Sequence, residues 1–214
     1  MNKETIRAWK LYDMSFNHPL GDYYTNIVCK NDECKVYISD KNIDFVFRGS
    51  NDIKDWINNF KISDSFEKLE YHHGFLKSAI RFKDSINNII KNNKNKKISF
   101  IGFSRGGAIA LILAIKLCKN DKNRKIDCFT FGQPRIAKKG KVKELFNLKN
   151  LNYTRVFYAK DLVPGLPFKI QDFKHLPGTT FELPAKFWHY IPLLTVKVKI
   201  HTSYGDYFKE IKNE

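Results

Sequence analysis

The fold is decided by one stretch, Lys97-Ile98-Ser99-Phe100-Ile101-Gly102-Phe103-Ser104-Arg105-Gly106-Gly107, which continues into Ala108-Ile109-Ala110-Leu111-Ile112-Leu113-Ala114-Ile115. The first apolar run is short enough for a buried strand, and the alanine-containing segment after it is long enough for a buried helix. The glycines on either side of Ser104 remove side chains that would clash in a sharp turn. We therefore predict a strand, a tight turn and a helix, with the Ser104 hydroxyl exposed at the tip of the turn.

Gly-x-Ser-x-Gly between a strand and a helix is the nucleophile elbow of α/β-hydrolases. The backbone N–H groups that open the helix carry partial positive charge, which is where a developing oxyanion needs stabilisation. The competing interpretation is a glycine-rich turn with an incidental serine. Because the strand and the helix that the elbow requires are both present, the sequence favours Ser104 as a nucleophile.

Length and composition indicate one domain with a large core. The chain has 214 residues, of which 43% are hydrophobic, with 18 Phe, 10 Tyr and 3 Trp. We expect a single α/β domain over residues 1–214. No apolar run reaches the roughly 18 residues of a membrane span, and residues 1–9 show no signal peptide, so we expect a cytoplasmic location.

Four cysteines are few for this length: Cys29, Cys34, Cys118 and Cys128. Cys29 and Cys34 flank a predicted hairpin turn, so a disulfide between them is geometrically conceivable. We favour free thiols in a reducing compartment. The cysteines lack the Cys-x-x-Cys spacing of a zinc site, and we expect neither a metal nor another cofactor.

The net charge of +16, from 38 Lys and Arg against 22 Asp and Glu, favours anionic partners such as a membrane surface. A general compositional bias toward Lys explains it equally well, and the sequence contains no recognisable nucleic-acid-binding motif and no signal for oligomeric state. Two basic loops, 91–97 and 119–125, precede predicted strands and should lie away from Ser104. Only Lys138–Lys143 and Lys160 follow strand ends.

Periodicity predicts alternating strands and helices along most of the chain. Predicted helices cover residues 3–12, about 72–91 and 104–115, and a short helix follows residue 204; predicted strands cover 23–29, 35–39, 43–47, 97–103, 126–131, 153–158 and 196–200. This order predicts an α/β fold with a mostly parallel central sheet, an antiparallel start and helices on both faces.

One short segment has the pattern of a lid. Its apolar residues recur at helical spacing and the rest of it is polar: Ile53, Trp56, Ile57 and Phe60. A lid over an apolar pocket and an ordinary surface helix are equally compatible with this stripe.

A nucleophilic serine needs a base, and the base needs an orienting carboxylate. In α/β-hydrolases the chain order is Ser, then Asp or Glu, then His. His201 ends a predicted strand and is the last of six histidines, so we favour it as the base, with His175 in a turn as the alternative. His189 lies between Trp188 and Tyr190 and fits a packed aromatic cluster better.

Asp161 directly follows a predicted strand and opens the turn Asp161-Leu162-Val163-Pro164-Gly165. Catalytic groups gather at the carboxyl ends of parallel strands. We therefore assign the orienting carboxylate to Asp161, with Asp172 as the alternative.

An ordered set of short motifs resembles the class 3 lipases, the fungal-lipase-like α/β-hydrolases. The motifs, which span roughly residues 40–205, are Phe47-Arg48-Gly49-Ser50, Asp55-Trp56, His73-Gly74-Phe75, Gly102-Phe103-Ser104-Arg105-Gly106-Gly107, Thr130-Phe131-Gly132-Gln133-Pro134-Arg135 and Asp161-Leu162-Val163-Pro164. The resemblance implies an α/β-hydrolase fold and a metal-free lipase or esterase acting on acylglycerols or phospholipids. It also implies a triad of Ser104, Asp161 and His201.

The same resemblance implies an oxyanion hole formed by Ser50 and by the N–H group of Arg105. Phe103 and Arg105 stand where the family usually carries His and Leu, so a positive charge is expected beside the nucleophile. Asn59 stands where the family has an aspartate that braces the oxyanion serine. A phospholipase, a small-ester esterase and a catalytically weak basic protein that binds anionic membrane or nucleic acid remain as alternatives.

Overall fold

The computed structural model describes residues 1–17, 25–50, 71–143, 148–167, 172–185 and 199–210. Within these ranges the strands are β1 (Thr25–Cys29), β2 (Asp32–Ile38), β3 (Asn42–Phe47), β4 (Lys97–Phe103), β5 (Ile126–Phe131), β6 (Ala137–Lys138), β7 (Leu151–Tyr158), β8 (Phe173–Lys174) and β9 (Thr179–Leu183). The helices are α1 (Lys3–Phe16), α2 (His73–Lys91), α3 (Ser104–Asn120) and α4 (Tyr204–Glu210).

The central sheet of this part of the chain has seven strands in the order β1-β2-β3-β4-β5-β7-β9. The pairs β1–β2 and β2–β3 are antiparallel, and the pairs β3–β4, β4–β5, β5–β7 and β7–β9 are parallel. The prediction of a mostly parallel sheet with an antiparallel start is therefore confirmed. We call the edge at which β3, β4, β5, β7 and β9 end the carboxyl edge; β2 begins there because it runs the opposite way.

Helices pack on both faces of the sheet, as predicted. Buried side chains of α2 and α3 form one core with residues such as Ile98 and Phe100 of β4. Those of α1 and α4 form a second core with Ile101 of the same strand. Successive side chains of a strand point to opposite faces, which is why one apolar strand can serve both cores. None of the described helices has the length and apolar character that crossing a bilayer requires.

Several boundaries differ from the sequence predictions. Helix α1 runs four residues beyond the predicted end, β2 begins three residues earlier than predicted, and β9 was not predicted. The predicted strand at 196–200 is wrong where the structure describes it, because residues 199–202 are helical. The amide of Ser203 donates to the carbonyl of Ile200. Alternation of apolar and polar residues over five positions is too short a pattern to distinguish a strand from a helical turn that buries Ile200.

The basic loops lie where the sequence predicted. Residues 91–97 and 119–125 precede β4 and β5, at the edge opposite the carboxyl edge. The small sheet formed by β6 and β8 follows β5 and β7, at the carboxyl edge, and carries Lys138 and Lys174. All four cysteines are free thiols, as favoured. The predicted lid residues 53–60 lie outside the described ranges, and the single-domain assignment remains a prediction.

Candidate active site

The turn between β4 and α3 has the geometry of a nucleophile elbow. Ser104 has a φ of +53°, a strained value for a residue with a side chain. A Cβ on Gly102 would lie 2.4 Å from the Gly106 carbonyl oxygen, and a Cβ on Gly106 would lie 2.3 Å from the Arg48 carbonyl oxygen. Both glycines are therefore required for the strand, the helix and the end of β3 to approach each other so closely.

The expectation of an exposed Ser104 hydroxyl is wrong, because Ser104 is fully buried. The loop after β3 packs directly on the elbow: a Cβ on Gly49 would lie 2.9 Å from Cδ1 of Phe103 and 3.5 Å from Cβ of Ser104. The amide of Gly49 donates to the Tyr12 hydroxyl of α1 at 3.4 Å. This loop carries Ser50, so the residue expected to help bind the oxyanion lies next to the nucleophile.

Asp161 and His201, the acid and base expected from the sequence, form a buried pair. His201 Nδ1 lies 2.7 Å from Asp161 Oδ2, and both side chains are fully buried. The other carboxylate oxygen, Oδ1, accepts a hydrogen bond from the amide of Val163 at 2.9 Å. A carboxylate in this position holds the proton of the imidazole on Nδ1, which leaves Nε2 as the acceptor.

Tyr204 is a third member of this cluster that sequence reasoning missed. Its hydroxyl donates to Asp161 Oδ2 at 2.8 Å and accepts from the amide of Tyr158 at 3.1 Å. Burial and the neighbouring Asp161 carboxylate raise the pKa of Tyr204, so the phenol remains a donor. The sequence does contain a signal for Tyr204, which lies three positions after His201 and therefore on the same face of a helical turn. The strand predicted for 196–200 concealed that spacing.

The base lies against the elbow. The His201 ring stacks on Phe103, the residue before Ser104, with a centroid distance of 4.7 Å and an interplanar angle of 25°. The ring also lies against Gly132, directly after β5, where a Cβ would lie 2.8 Å from Cε1 of the ring. Within the described residues, His201 Nε2 and Ser104 Oγ are both buried and neither has a hydrogen-bond partner. These are the two atoms between which a serine hydrolase transfers a proton.

Arg105 does not place its charge toward the nucleophile, which corrects the expectation from the sequence. Its guanidinium pairs with Asp32, with Nη1 at 2.8 Å from Oδ1 and Nη2 at 3.1 Å from Oδ2. Nη2 also donates to Ser78 Oγ of α2 at 2.8 Å. The side chain is therefore turned toward β2 and α2, and the Arg105 backbone remains in the first turn of α3.

A groove of about 390 Å³ opens beside the elbow. Aromatic side chains of α1 and the elbow line one part of it, namely Trp9, Tyr12, Phe16 and Phe103. Ser50 and Thr202 also line it, as do four charged residues, namely Asp13, Arg48, Asp206 and Lys209. The groove thus joins an apolar surface to the loop that carries Ser50 and to the turn that carries His201.

The alternative acid and base do not assemble into a site. His175 Nε2 donates to the Pro164 carbonyl oxygen at 2.7 Å, and burial, followed by the charge of Arg155, lowers the pKa of His175 to about 3. Asp172 is exposed. His189 lies outside the described residues. Within the described ranges, no three His, Cys, Asp or Glu side chains are grouped as metal ligands would be.

We expect His175 to make the free energy of unfolding depend on pH. Its pKa falls from 6.5 to about 3 on folding, so between these pH values the unfolded chain binds a proton that the folded chain does not. The free energy of unfolding should therefore fall as the pH drops through this range. In His175→Gln, which retains an Nε donor for Pro164, we expect this loss at pH 4.5 to be smaller by about 1 to 2 kcal/mol.

Urea unfolding of wild type and His175→Gln at pH 7.5 and 4.5 measures this difference. His73→Gln provides the control, because His73 is exposed at the start of α2. An equal loss of stability in all three proteins would show that His175 does not contribute.

The sequence is similar to those of known lipases. A family model described as "Lipase (class 3)" matches residues 45–171. A triacylglycerol lipase of Ricinus communis is 32% identical over 115 residues, which cover 50% of this chain and 22% of that protein. A lipase of Rhizomucor miehei is 28% identical over 152 residues, which cover 64% of this chain and 40% of that protein. The chain thus spans less than half the length of these relatives.

Solved structures of lipases share the fold. A lipase from Rhizopus microsporus var. chinensis superposes with a TM-score of 0.70 at 18% identity, covering 87% of this chain and 77% of that one. A triacylglycerol lipase from Penicillium expansum gives 0.71 at 19% identity, covering 84% and 78%. The fold is that of an α/β-hydrolase, and the match of the family model over more than half of the sequence identifies the chain as a member of the class 3 lipase family.

Proposed function

We propose that the protein is a serine carboxylic ester hydrolase that acts on lipid or acyl esters, such as acylglycerols, through an acyl-enzyme. The observation that carries this proposal is the buried Asp161–His201 pair, whose ring lies against the elbow residue Phe103. His201 Nε2 and Ser104 Oγ are left without partners among the described residues.

The proposed reaction proceeds in two halves. His201 Nε2 takes the proton of Ser104 Oγ as this oxygen attacks the ester carbonyl carbon, and the imidazolium then returns the proton to the departing alcohol. In the second half a water molecule gives a proton to His201 Nε2 and attacks the acyl carbonyl carbon. The bond between this carbon and Ser104 Oγ then breaks, His201 returns the proton to Oγ, and the carboxylic acid leaves. Asp161 stabilises the imidazolium that forms in each half, and Tyr204 and the Val163 amide hold Asp161 in place.

Ser50 and the Arg105 amide are the proposed oxyanion donors. The loop with Ser50 follows β3 and the Arg105 amide lies in the first turn of α3, so both belong to the carboxyl edge. Removing one oxyanion donor typically lowers turnover about 100- to 1000-fold.

The aromatic side chains in the lining of the groove support a substrate with an acyl chain. These side chains offer apolar surface, and two guanidinium groups near the elbow are paired with carboxylates, Arg105 with Asp32 and the groove residue Arg48 with Glu33. The relatives named triacylglycerol lipases support an acylglycerol substrate. A phospholipase and an esterase for short acyl chains are the alternatives within the same chemistry.

A substrate series tests the proposal. Hydrolysis is measured on p-nitrophenyl esters from acetyl to palmitoyl, on emulsified acylglycerols and on phospholipid vesicles. We expect turnover of medium or long acyl chains and covalent labelling of Ser104 by a fluorophosphonate, located by peptide mass spectrometry. Absence of both turnover and labelling would contradict the proposal and leave the basic, non-catalytic protein as the better interpretation.

We also propose that the carboxyl edge makes peripheral contact with anionic membrane. Lysines follow β5 and β7 at this edge, and Lys139, Lys143 and Lys174 are exposed. Each lysine near an anionic surface contributes about 1 kcal/mol to membrane attraction. An edge that carries both the lysines and the proposed site would face the lipid that holds the substrate.

Charge removal at this edge should weaken vesicle binding. In a Ser104→Ala background, we expect Lys139→Gln, Lys141→Gln, Lys143→Gln and Lys174→Gln combined to lower the affinity for vesicles containing phosphatidylserine about 30-fold or more. Co-sedimentation at low and physiological salt measures the affinity.

The matched control removes the same charge at the opposite edge, with Lys91→Gln, Lys94→Gln, Lys122→Gln and Lys125→Gln. We expect it to lower the affinity less than fivefold or so, because these lysines would face away from the bilayer. Equal losses in both variants would indicate an attraction by net charge alone. Binding to duplex DNA in place of vesicles would support the nucleic-acid alternative.

The free thiols support the proposal of a reducing, cytoplasmic compartment. Cys34, Cys118 and Cys128 are buried, and burial raises the pKa of each of these thiols. Buried thiols stay unpaired in any compartment, so it is the free and partly exposed Cys29 that supports a reducing one.

A further inference from the structure

Two adjacent acidic residues each pair with an arginine in one of the two segments that carry the proposed oxyanion donors. We propose that Asp32 and Glu33, at the start of β2, are positioning residues: Asp32 holds the elbow through Arg105, and Glu33 holds the loop before Ser50 through Arg48. This inference rests on the proposed function. In this assignment one short segment at the start of β2 sets the distance between the two oxyanion donors.

The course of β2 brings these residues to the carboxyl edge. The hairpin turns at Lys30, whose φ is +59°, and β2 begins two residues later at Asp32. Because β2 runs antiparallel to β3, its first residues lie beside the end of β3. Consecutive residues of a strand point to opposite faces. Asp32 and Glu33 can therefore serve two different partners from one short segment.

Asp32 holds the elbow by a bidentate ion pair. Both of its carboxylate oxygens contact the Arg105 guanidinium, at 2.8 and 3.1 Å, and Arg81 of α2 stands 3.7 Å from Oδ2. The Asp32 side chain is only 5% exposed, so this pairing is largely shielded from solvent. With Ser78 as a further acceptor, the guanidinium is fixed between β2 and α2. A guanidinium that is held through both of its Nη atoms is fixed in orientation as well as in position.

Glu33 holds the loop that leads to Ser50. Its Oε2 lies 3.0 Å from Arg48 Nη1, and its backbone carbonyl accepts from the Arg48 amide at 3.0 Å. Asn26 of β1 donates to the other carboxylate oxygen at 3.0 Å, which fixes the Glu33 side chain. Arg48 is thus tied to β2 by both its backbone and its side chain, two residues before Ser50.

The two anchored segments touch each other. The built Cβ position of Gly106 lies 2.3 Å from the Arg48 carbonyl oxygen, so the elbow helix and the loop after β3 meet backbone to backbone. Oxyanion donors act only when they lie about 2.7 to 3.1 Å from the developing charge. Loss of either anchor should let one donor move relative to the other. Without the Asp32 carboxylate, Arg81 and Arg105 would also repel each other beside the elbow.

The test compares Asp32→Asn and Glu33→Gln with a matched control, Asp44→Asn. Asp44 of β3 is equally buried and pairs with Arg7 of α1, but it lies in the part of the sheet away from the elbow. The measurements are kcat and KM on a short soluble ester, the inhibition constant of an alkyl boronic acid and the urea midpoint. In a boronate adduct on Ser104 the boron is tetrahedral, and one of its oxygen atoms occupies the oxyanion hole. Its binding therefore reports on the oxyanion donors.

We expect Asp32→Asn to lower kcat about 10- to 50-fold and Glu33→Gln about 3- to 10-fold, each with KM within about twofold of wild type. The boronate should bind more weakly by a similar factor. Asp44→Asn should lower the urea midpoint to a similar extent yet leave kcat and boronate binding within about twofold. A purely structural role of Asp32 would move the urea midpoint alone.

Arg105→Lys provides a milder variant should Asp32→Asn fail to fold, because it keeps the charge and loses the fork. We expect about a fivefold loss of kcat, with little further loss when Asp32→Asn is added, since both changes break one contact. If the loss of kcat in the double variant equalled the product of the two single losses, Asp32 would not act through Arg105. Normal kcat in Asp32→Asn and Glu33→Gln would overturn it while the proposed function stands, whereas a wild-type protein without turnover or boronate binding would overturn both.

Discussion

Ser104→Ala should lower kcat for a short soluble ester by about 10⁵- to 10⁶-fold, which is the loss expected when the nucleophile of a serine hydrolase triad is removed. The fold should survive the change. Alanine retains the Cβ of serine, so the positive φ of +53° costs the backbone no more than before. The turnover that remains would come from the oxyanion donors and from binding alone.

The same substitution should leave the protein equally stable or slightly more stable. The Ser104 hydroxyl is buried without a hydrogen-bond partner among the described residues, and an unsatisfied buried polar group costs free energy. A thermal midpoint equal to or above that of wild type, together with lost turnover, is the expected combination. Ser99→Ala, a buried serine at the other end of β4, is the control and should keep full activity. Activity above about 1% of wild type in Ser104→Ala would refute the nucleophile assignment.

The elbow could be predicted from sequence because its causes are local. The apolar strand, the two glycines and the apolar helix are contiguous, and the contacts that require glycine join Gly102 to Gly106 within five residues. The order of Asp161 and His201 along the chain then limited the choice of acid and base. Family motifs placed Ser50, which the structure finds in the loop packed on the elbow.

Other features depend on contacts that no local pattern encodes. The direction of the Arg105 side chain is set by Asp32, which is 73 positions away in the sequence. Tyr204 could be found only by knowing that residues 199–202 form a helical turn, whereas their alternating pattern favoured a strand. Strand β9 has mostly exposed residues, so it lacked the apolar alternation by which the other strands were recognised.

Asp161→Asn should lower kcat about 10⁴-fold, through the protonation of His201 and with little effect on the fold. In the native site the Val163 amide donates to Oδ1 and His201 Nδ1 contacts Oδ2. An asparagine must keep its carbonyl oxygen toward the Val163 amide, since its NH₂ group would face another donor there. Its NH₂ group then points at His201 Nδ1 and donates to it. The proton of a neutral His201 is thereby moved to Nε2, the atom that must accept the proton of Ser104.

Tyr204→Phe separates this tautomer effect from a simple loss of hydrogen bonding. It removes one donor to Asp161 Oδ2 but leaves the carboxylate and its contact with His201 Nδ1. We expect about a tenfold loss of kcat, equivalent to about 1.4 kcal/mol of transition-state stabilisation. Kinetics of both variants on the same ester, with ¹⁵N NMR of the His201 ring, check the argument. If Asp161→Asn lost no more activity than Tyr204→Phe, or kept its ring proton on Nδ1, Asp161 would not be the residue that orients the base.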